Sequence, residues 1–366
     1  MDKLGQLTKI AIKGFKSIKE CDVDLRSINV LIGANGAGKS NFMCVFELIQ
    51  SVLGRGLNYY AGKKGTETLF YNGKKETNTI VVELNFEEND LYSFAIEWTE
   101  NNSFIFHNER FSIDGTELVD DVGHNQSNVL NVLRRWTNES GTKILNIMLN
   151  PGWIVYRFQD TTSSSRIKSE HNVSNCAAFF SDGRNLAAFL YRLKRHFPKE
   201  YADILSAVQL VAPYFSDFVL EPNELNEELI FLRWQQKESG DIFYASQLSD
   251  GTLRFICLAT LLLQPALLQM SVIIIDEPEL GLHPFAIAIF AELVKKASVN
   301  KQIILSTQSV ELLNNFSAED IIVVDKHENG SKFRRLELDK LTEWLEDDYT
   351  LGELWNKNIL GGRFAQ

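Results

Sequence analysis

The sequence predicts an α/β fold with a mixed β-sheet core, a patch of antiparallel strands and a helical lobe. A β-rich segment at residues 28–32 leads into a glycine-rich turn and then into an amphipathic helix that begins at Lys39. Segments 79–86 and 91–98 alternate apolar and polar residues, which is typical of antiparallel strands. Strands and helices alternate over the last third of the chain, which favours parallel strands covered on both faces.

The remaining elements follow from the same periodicities. A first strand is predicted at residues 7–12, another at 103–113, and a polar, serine-rich loop at 161–175. The later predicted elements are helices at 185–211, 253–268 and 285–297, and strands at 272–275, 303–305 and 321–324. Because no long heptad run has apolar a and d positions, we expect no coiled-coil arm.

Length and composition are those of an ordinary globular protein. The 366 residues, 45% hydrophobic and 23% charged, predict about two domains or one large domain with an insertion. With 37 Lys+Arg against 48 Asp+Glu, the net charge of −11 argues against attraction of the whole chain to nucleic acid or to anionic membranes. We interpret the basic runs at 192–196 and 332–335 as solvated faces of helices or strands. A local patch that binds nucleic acid is the alternative.

Cysteine usage and hydropathy point to a reducing, cytoplasmic setting. The four cysteines are far apart and form no CxxC pair, which argues against a zinc site and a disulfide framework. The N-terminus lacks an apolar signal core. Residues 255–275 are mostly apolar but contain Gln264 and Pro265, so a buried helix, a turn and a buried strand explain them better than a membrane span. We therefore expect no membrane partner.

The strongest chemical signal is the sequence GANGAGKS at residues 33–40, which matches G-x-x-x-x-G-K-[ST] after a strand and at the start of a helix. Such glycines let backbone N–H groups surround phosphates, and the helix N-terminus adds partial positive charge. Lys39 is expected to reach the β- and γ-phosphates of ATP, and the Ser40 hydroxyl to bind Mg²⁺. A chance glycine loop is the alternative, which the full match in the right context disfavours.

A second signal is a buried strand that ends in two carboxylates, Asp276 and Glu277. We expect Asp276 to hold Mg²⁺ and Glu277 to polarise the attacking water as a general base. A third signal is the turn Ser249-Asp250-Gly251, which opens an apolar helix and could trap an anion. Taken alone, this turn is better explained as a helix cap. The acid-rich segments 224–228 and 343–348 are interpreted as solvated loops rather than a nuclease metal site.

The chain contains three motifs in the order GANGAGKSN, LSDGT and DEPELGLHP. They resemble the motifs of the ATP-binding cassette (ABC) ATPases of the SMC/RecF/OLD class, which have a P-loop NTPase fold. The closest resemblance is to the stand-alone bacterial predicted AAA/ABC ATPases, through YRFQDT at 156–161, DGRNLA at 182–187, LWNKN at 354–358 and GGR at 361–363. On this resemblance the chain divides into an N-terminal half of the ATPase lobe at 1–160, a helical insertion lobe at 161–250 and a C-terminal half at 251–366.

The resemblance implies an ATP-dependent homodimer in which the glycine loop of one copy and the Ser249 turn of the other share each nucleotide. The residues expected to contact nucleotide are Asn35, Gly36, Ala37, Gly38, Lys39, Ser40, Asn41, Gln159, Ser249, Asp250 and Gly251. The resemblance places Gln159 as the Q-loop glutamine, which would also contact Mg²⁺. The alternative is that Gln159 is an ordinary loop residue whose amide has no such role. Gln308 occupies the switch position, where ABC proteins commonly have His. The D-loop position is occupied by Leu280-Gly281-Leu282-His283. Because an amide cannot become a cation, Gln308 would act in catalysis by hydrogen bonding.

The first functional hypothesis is an ATPase whose dimer opens and closes with the nucleotide cycle and signals to a partner. Relatives of this type act in DNA repair or antiphage defence beside a separate nuclease or other effector, so an effector and DNA contact are candidate interactions. The second hypothesis is a nucleotide-dependent scaffold or switch that hydrolyses little ATP. The uncharged Gln308 at the switch position is compatible with such slow turnover. A third, the nucleotide-binding subunit of a membrane transporter, is disfavoured by the antiparallel strands and the long insertion.

Overall fold

Two units make up the chain. The first comprises Met1–Val155, Met270–Ile274 and Asn300–Gln366, and the second comprises Tyr156–Gln269 and Ile275–Val299. The computed structural model describes residues 6–101, 103–120, 123–128, 153–162, 164–337, 339, 341, 344 and 349–362. Positions 343 and 345–348 of the acidic segment, and Arg363 of the C-terminal motif, lie outside these residues. The three-part division at residues 160 and 250 stays a prediction.

The first unit contains an antiparallel sheet in the order β2-β1-β4-β5-β6-β7. Its strands are β1 (Leu7–Phe15), β2 (Ile18–Asp24), β4 (Thr79–Phe86), β5 (Leu91–Trp98), β6 (Phe104–Ile113) and β7 (Thr116–Asp120). In β4 buried residues alternate strictly with half-buried ones, as expected of a sheet with one face on the core. The antiparallel patch predicted from this alternation is therefore confirmed.

A second six-stranded sheet has the order β18-β17-β3-β16-β15-β8. Its strands are β3 (Ile28–Ile32), β8 (Val155–Tyr156), β15 (Val272–Asp276), β16 (Gln302–Thr307), β17 (Ile321–His327) and β18 (Gly330–Arg335). The central strand β3 is parallel to β16 and β17, whereas β18 is antiparallel to β17. All five residues of β3 are buried, as in a strand covered on both faces. The mixed sheet of the predicted fold is confirmed.

Within the residues that the structure describes, the first unit has four helices: α1 (Lys39–Leu53), α2 (Leu57–Lys64), α7 (Val310–Leu313) and α8 (Leu351–Asn356). Ten of the fifteen residues of α1 are buried, because the helix lies in the core that the two sheets share. In this core the ring of Phe46 packs 5.7 Å from that of Trp153. The glycine-rich turn is therefore held between a fully buried strand and a mostly buried helix, both of which restrict its ends.

The second unit combines helices with short strands. Its helices are α3 (Leu186–His196), α4 (Pro198–Val211), α5 (Asp250–Leu263) and α6 (Pro284–Ser298). Its strands are β9 (His171–Asn172), β10 (Phe215–Val219), β11 (Pro222–Asn223), β12 (Asn226–Ile230), β13 (Arg233–Gln236) and β14 (Ile242–Tyr244). They form two three-stranded sheets, ordered β10-β13-β14 and β11-β12-β9. The lobe predicted as helical thus also contains strands, which are too short to give a clear alternating pattern.

Two helix predictions need correction, and proline is the reason in both. The helix predicted over 185–211 is two helices, because Pro198 cannot donate an N–H and instead starts α4 at its first position. The helix predicted over 253–268 ends at Leu263, since Pro265 disfavours helical backbone at Gln264. Residues 255–275 are a buried helix followed by a buried strand, as expected. In the described part of the chain, no helix has the length and apolar character needed to span a bilayer.

Candidate nucleotide-binding site

The glycine loop between β3 and α1 has the backbone conformation that its glycines allow. Gly36 and Gly38 have φ of +76° and +122°, which side chains other than hydrogen rarely permit. A Cβ on Gly38 would collide with the side chain of Ser331, and one on Gly33 with the backbone oxygen of Val324. A Cβ on Gly36 would meet no heavy atom of the described residues within 4 Å. The loop is thus closely packed at its two ends and open at Gly36.

Lys39 is 4% exposed and lies against the backbone of the loop that precedes it. Its Nζ donates to the carbonyl oxygens of Gly33 at 2.6 Å and Ala34 at 3.1 Å. The first turn of α1 reads Lys-Ser-Asn-Phe, so a lysine is its charged residue, and its capping residue, Gly38, makes no side-chain cap. The lysine and the N-terminus of the helix therefore lie together here, an arrangement suited to phosphate.

The other predicted residues of the loop differ in exposure. Asn35, Gly36 and Ser40 are exposed, whereas Ala37 is buried. The side-chain amide of Asn41 donates to the Ser17 hydroxyl at 2.7 Å, and this hydroxyl lies 2.7 Å from that of Ser331. Asn41 thus braces the loop against the turn between β1 and β2. Its predicted contact with nucleotide stays a prediction.

Asp276 and Glu277 lie in the second unit, at the end of β15 and just after it. Asp276 is 5% exposed, and its Oδ2 accepts a hydrogen bond from Nε of Arg157 at 3.0 Å. Glu277 has a φ of +51°, which is unusual for a residue with a side chain. Such strained backbone clusters at functional sites, where the surrounding structure holds it in place. The predicted role of Glu277 as general base stays a prediction.

A short segment after β8 carries the partners of both carboxylates. The Gln159 amide donates to Oε2 of Glu277 at 3.2 Å, two residues beyond the Arg157 that binds Asp276. Alternate residues of an extended segment point to the same side, so one segment can serve two successive carboxylates. Arg157 is a site residue that the sequence analysis missed as such. The Arg-x-Gln spacing opposite an Asp-Glu pair is the signal that could have found it.

The Ser249 turn caps α5, as its alternative interpretation supposed. The Ser249 hydroxyl accepts from the backbone N–H of Thr252 at 3.1 Å, and Asp250 pairs with Lys168 at 3.2 Å. A Cβ on Gly251 would collide with the backbone oxygen of Gly281 in the D-loop. Ser249 and Asp250 are exposed. A capping role does not conflict with anion binding, since the cap leaves the helix N-terminus accessible.

Arg254, one turn into α5, joins the Ser249 helix to the segment that carries Gln159. Its guanidinium donates to the carbonyl oxygens of Phe158 at 2.8 Å and Gln159 at 3.1 Å. Burial lowers the pKa of Arg254 from its ordinary value, because the charged form loses water contacts. Within the second unit, the Ser249 turn, the D-loop and the Gln159 segment are therefore held together.

Gln308 and His283 are found in ordinary structural positions. Gln308 directly follows β16 and precedes Ser309, whose hydroxyl caps α7 by accepting from Leu312 N–H at 3.1 Å. His283 caps α6, its Nδ1 accepting from the Phe285 N–H at 3.3 Å. The predicted catalytic role of Gln308 stays a prediction.

The basic runs are largely committed to internal contacts. Lys194 pairs with Asp217 at 2.8 Å, and Arg192 donates to the carbonyl of Cys176 at 2.9 Å. Arg335 donates to the backbone oxygens of Asp24 and Glu319 at 2.7 Å each. These contacts are in line with the structural interpretation of both runs, and the proposed contact with DNA stays a prediction.

The predicted ligands of Mg²⁺ are Ser40, Asp276 and Gln159. Each offers an oxygen, the donor that this hard cation prefers, so the residue types fit the ion. Among the described residues, no three His, Cys, Asp or Glu side chains gather as a metal-holding group. The assignment of these three residues as Mg²⁺ ligands stays a prediction.

Smc head domains are among the solved structures with the same fold. The Smc head bound to the C-winged helix domain of ScpA has a TM-score of 0.60 at 20% identity, over 92% of this chain and 99% of that one. The Smc head with an extended coiled coil bound to the C-terminal domain of ScpA, from Pyrococcus furiosus, has 0.61 at 17% identity, over 94% and 99%. The Thermotoga maritima SMC head has 0.50 at 16% identity, over 91% and 99%. At these identities the likeness shows the fold alone.

The sequence also matches a protein-family model. No curated protein matches the chain. Residues 28–314, well over half of the chain, match the family described as "AAA domain, putative AbiEii toxin, Type IV TA system". The matched range begins at β3 and includes the glycine loop, the Ser249 turn and the Asp276-Glu277 pair. The chain therefore has the fold of the Smc head domains and belongs to this AAA-domain family.

Proposed function

We propose that this protein binds ATP with Mg²⁺ at the glycine loop, hydrolyses it, and passes the resulting conformational change to a partner. The observation that carries the proposal is the loop itself. Gly36 and Gly38 have positive φ at the N-terminus of a fifteen-residue helix whose first residue, Lys39, is the cation. Membership of an AAA-domain family supports the same assignment.

For hydrolysis, we assign Glu277 as the general base and Asp276 as a carboxylate that helps to hold Mg²⁺. Bound Mg²⁺ would neutralise charge that develops on the phosphate oxygens. Glu277 would orient a water molecule and take its proton, and the Gln159 amide at 3.2 Å would keep this carboxylate in one orientation. Lys39 would stabilise the β- and γ-phosphates. Gln308 would contribute a hydrogen bond to phosphate or water.

We further propose that two copies close around ATP, so that the Ser249 turn of one copy faces the nucleotide in the other. The turn starts a fourteen-residue helix, and both Ser249 and Asp250 are exposed and able to meet a second copy. Leu280 and Phe285, in and after the D-loop, are 40% and 51% exposed. Exposed apolar side chains of this kind favour a surface that becomes covered.

The partner that we propose follows from analogy with similar proteins. Some of the structurally similar Smc heads are bound to ScpA, and the family description names a toxin system. By analogy, we propose a cytoplasmic role in antiphage defence or DNA repair beside a separate effector such as a nuclease, with DNA contact as a further possibility. The alternative is a nucleotide-dependent scaffold with little turnover, favoured by the uncharged Gln308 at the switch position.

The substitution Glu277→Gln tests the proposal. It should keep ATP binding, slow single-turnover phosphate release by about 10²–10⁴-fold, and trap a closed dimer with ATP. Radiolabelled phosphate release and light scattering after size-exclusion chromatography measure these effects. An unchanged rate would remove Glu277 from its role. Phosphate release at background level in the unsubstituted protein, with ATP bound, would favour the scaffold.

A further inference from the structure

The C-terminal segment 351–362 is anchored within the first unit. The N–H of Gly352 in α8 donates to Oδ1 of Asn314, which follows α7, at 2.7 Å. A Cβ on Gly352 would collide with Val310 in α7, so the two helices approach closely. Leu354 and Trp355 are buried. The segment is therefore packed against the helix that comes after Gln308.

The end of this segment contacts the glycine loop. The carbonyl oxygen of Gly362 accepts a hydrogen bond from the backbone N–H of Ala34 at 2.7 Å. The N–H of Gly362 in turn donates to Oδ1 of Asp325 in β17. Two residues earlier, the carbonyl of Leu360 accepts from Arg334 in β18 at 2.8 Å. Strands β17 and β18 thus hold the segment end against the loop.

The same hydrogen bonds continue to the lysine of the loop. The carbonyl oxygen of Ala34 accepts from Lys39 Nζ and from the N–H of Ala37, both at 3.1 Å. The Ala34 N–H belongs to the peptide group between Gly33 and Ala34, whose carbonyl oxygen, that of Gly33, accepts from Lys39 Nζ at 2.6 Å. This peptide group is therefore held from both sides, by the Gly362 carbonyl at its N–H and by the Lys39 ammonium at its oxygen, and the two hydrogen bonds polarise one another.

We propose that segment 351–362 positions the phosphate-binding loop, with the Gly362 carbonyl as the contact and Asp325 as the residue that holds it. This rests on the proposed ATP binding at the loop. A loop already fixed in its binding shape loses less conformational entropy when a ligand arrives, and it therefore binds more tightly. Gly362, which has no role in the proposed hydrolysis, would thereby act in positioning the loop.

Glycine is required at 362 for two reasons. Its φ is +81°, in the left-handed region that favours glycine. A Cβ there would also lie 2.5 Å from the Trp355 ring and 2.9 Å from Val323. A side chain at this position must displace the segment end, and the Gly362 carbonyl would move away from Ala34. Segment and loop are therefore coupled through one residue at which an added side chain would clash with Trp355 and Val323.

The test compares Asp325→Ala, Asp325→Asn and Gly362→Ala with the unsubstituted protein. Gly115→Ala is the matched control, because Gly115 also has positive φ, +72°, but a Cβ there meets no described atom within 4 Å. Three quantities are measured: the Kd of Mg-ATP by titration calorimetry, the Tm, and hydrogen–deuterium exchange without nucleotide of a peptide spanning residues 30–41, which begins far enough before Ala34 to retain the label on its N–H. Exchange reports the Ala34 N–H directly, whatever the affinity for ATP.

Asp325→Ala and Gly362→Ala should speed exchange in the loop peptide and raise the Kd on the order of tenfold, as expected for a lost charge-assisted bond. Asp325→Asn, whose amide oxygen still accepts the Gly362 N–H, should stay within about threefold of the unsubstituted protein. Gly115→Ala should lower only the Tm. Unchanged exchange, or faster exchange with an unchanged Kd, would overturn the positioning role. Failure of the unsubstituted protein to bind ATP would overturn the proposed function and, with it, this inference.

Discussion

The side-chain amide of Gln159 lies 3.2 Å from the Glu277 carboxylate and donates a hydrogen bond to it. The backbone of Glu277 is in the left-handed region at φ +51°, so the residue is held in an uncommon conformation while its side chain is oriented by Gln159. An amide donor orients a carboxylate without adding a full charge beside it. This suits a base that must remain able to accept a proton from water.

Removing this amide tests the relationship. Gln159→Ala should lower the rate of ATP hydrolysis by about tenfold, the kinetic equivalent of one hydrogen bond to a charged group. Steady-state phosphate release with saturating Mg-ATP measures the effect. The control is Gln235→Ala, which removes a glutamine that donates to the Gly240 carbonyl at 2.9 Å in a hairpin. Equal rates for the two variants would contradict a role of Gln159 in the reaction.

Lys39→Ala should weaken ATP binding by about 10–100-fold, because the phosphate cation and its charge-assisted hydrogen bonds are lost. It should also lower the Tm, since the carbonyls of Gly33 and Ala34 lose a buried donor. Equilibrium titration with a fluorescent ATP analogue measures the affinity, at a temperature well below the Tm of the variant. Normal ATP binding by this variant would show that the glycine loop is not the nucleotide site.

Arg157→Ala should lower the free energy of unfolding by about 1–3 kcal/mol, because it leaves the buried Asp276 carboxylate without this donor. Urea unfolding followed by circular dichroism measures it. Arg110→Ala is the control, since Arg110 and Glu117 form a pair whose side chains are about half exposed, and its loss should cost under about 0.5 kcal/mol. Similar losses for both variants would mean that Asp276 does not depend on Arg157.

Thiol labelling tests the packing of α5. Burial raises the pKa of the Cys257 thiol from its ordinary value, so little reactive thiolate forms in the folded protein. Burial likewise raises the pKa of Cys21 to about 12, whereas Cys176 is partly exposed. At pH 8, a maleimide should therefore label Cys176 first and reach Cys257 only in denaturant, as read by peptide mass spectrometry. Cys176→Ser should abolish the fast phase; rapid native labelling of Cys257 would contradict the buried helix.

Patterns that are local along the chain are sufficient to predict the strand, glycine loop and helix of residues 28–53. The buried strand, the positive-φ glycines and the lysine at the helix start are neighbours in sequence, and their chemistry depends on that spacing. The alternation in β4 is local in the same way. At Pro198 and Pro265 the apolar pattern alone predicted helices that were too long. Pro198 lacks an N–H and starts a new helix, and Pro265 disfavours helical backbone at the residue before it, so each earlier helix ends sooner than its pattern indicated.

Contacts between distant residues could not be predicted in this way, because no periodicity encodes them. Arg157 meets Asp276 across 119 positions, and the carbonyl of Gly362 reaches the N–H of Ala34 from near the other end of the chain. Such pairs form only when the strands and helices that carry them have packed, and the free energy that selects them comes from burying those elements. The glycine loop and Lys39 could be predicted from residues that are neighbours in the sequence. Their distant contacts, such as that between Gly362 and Ala34, form only in the folded chain.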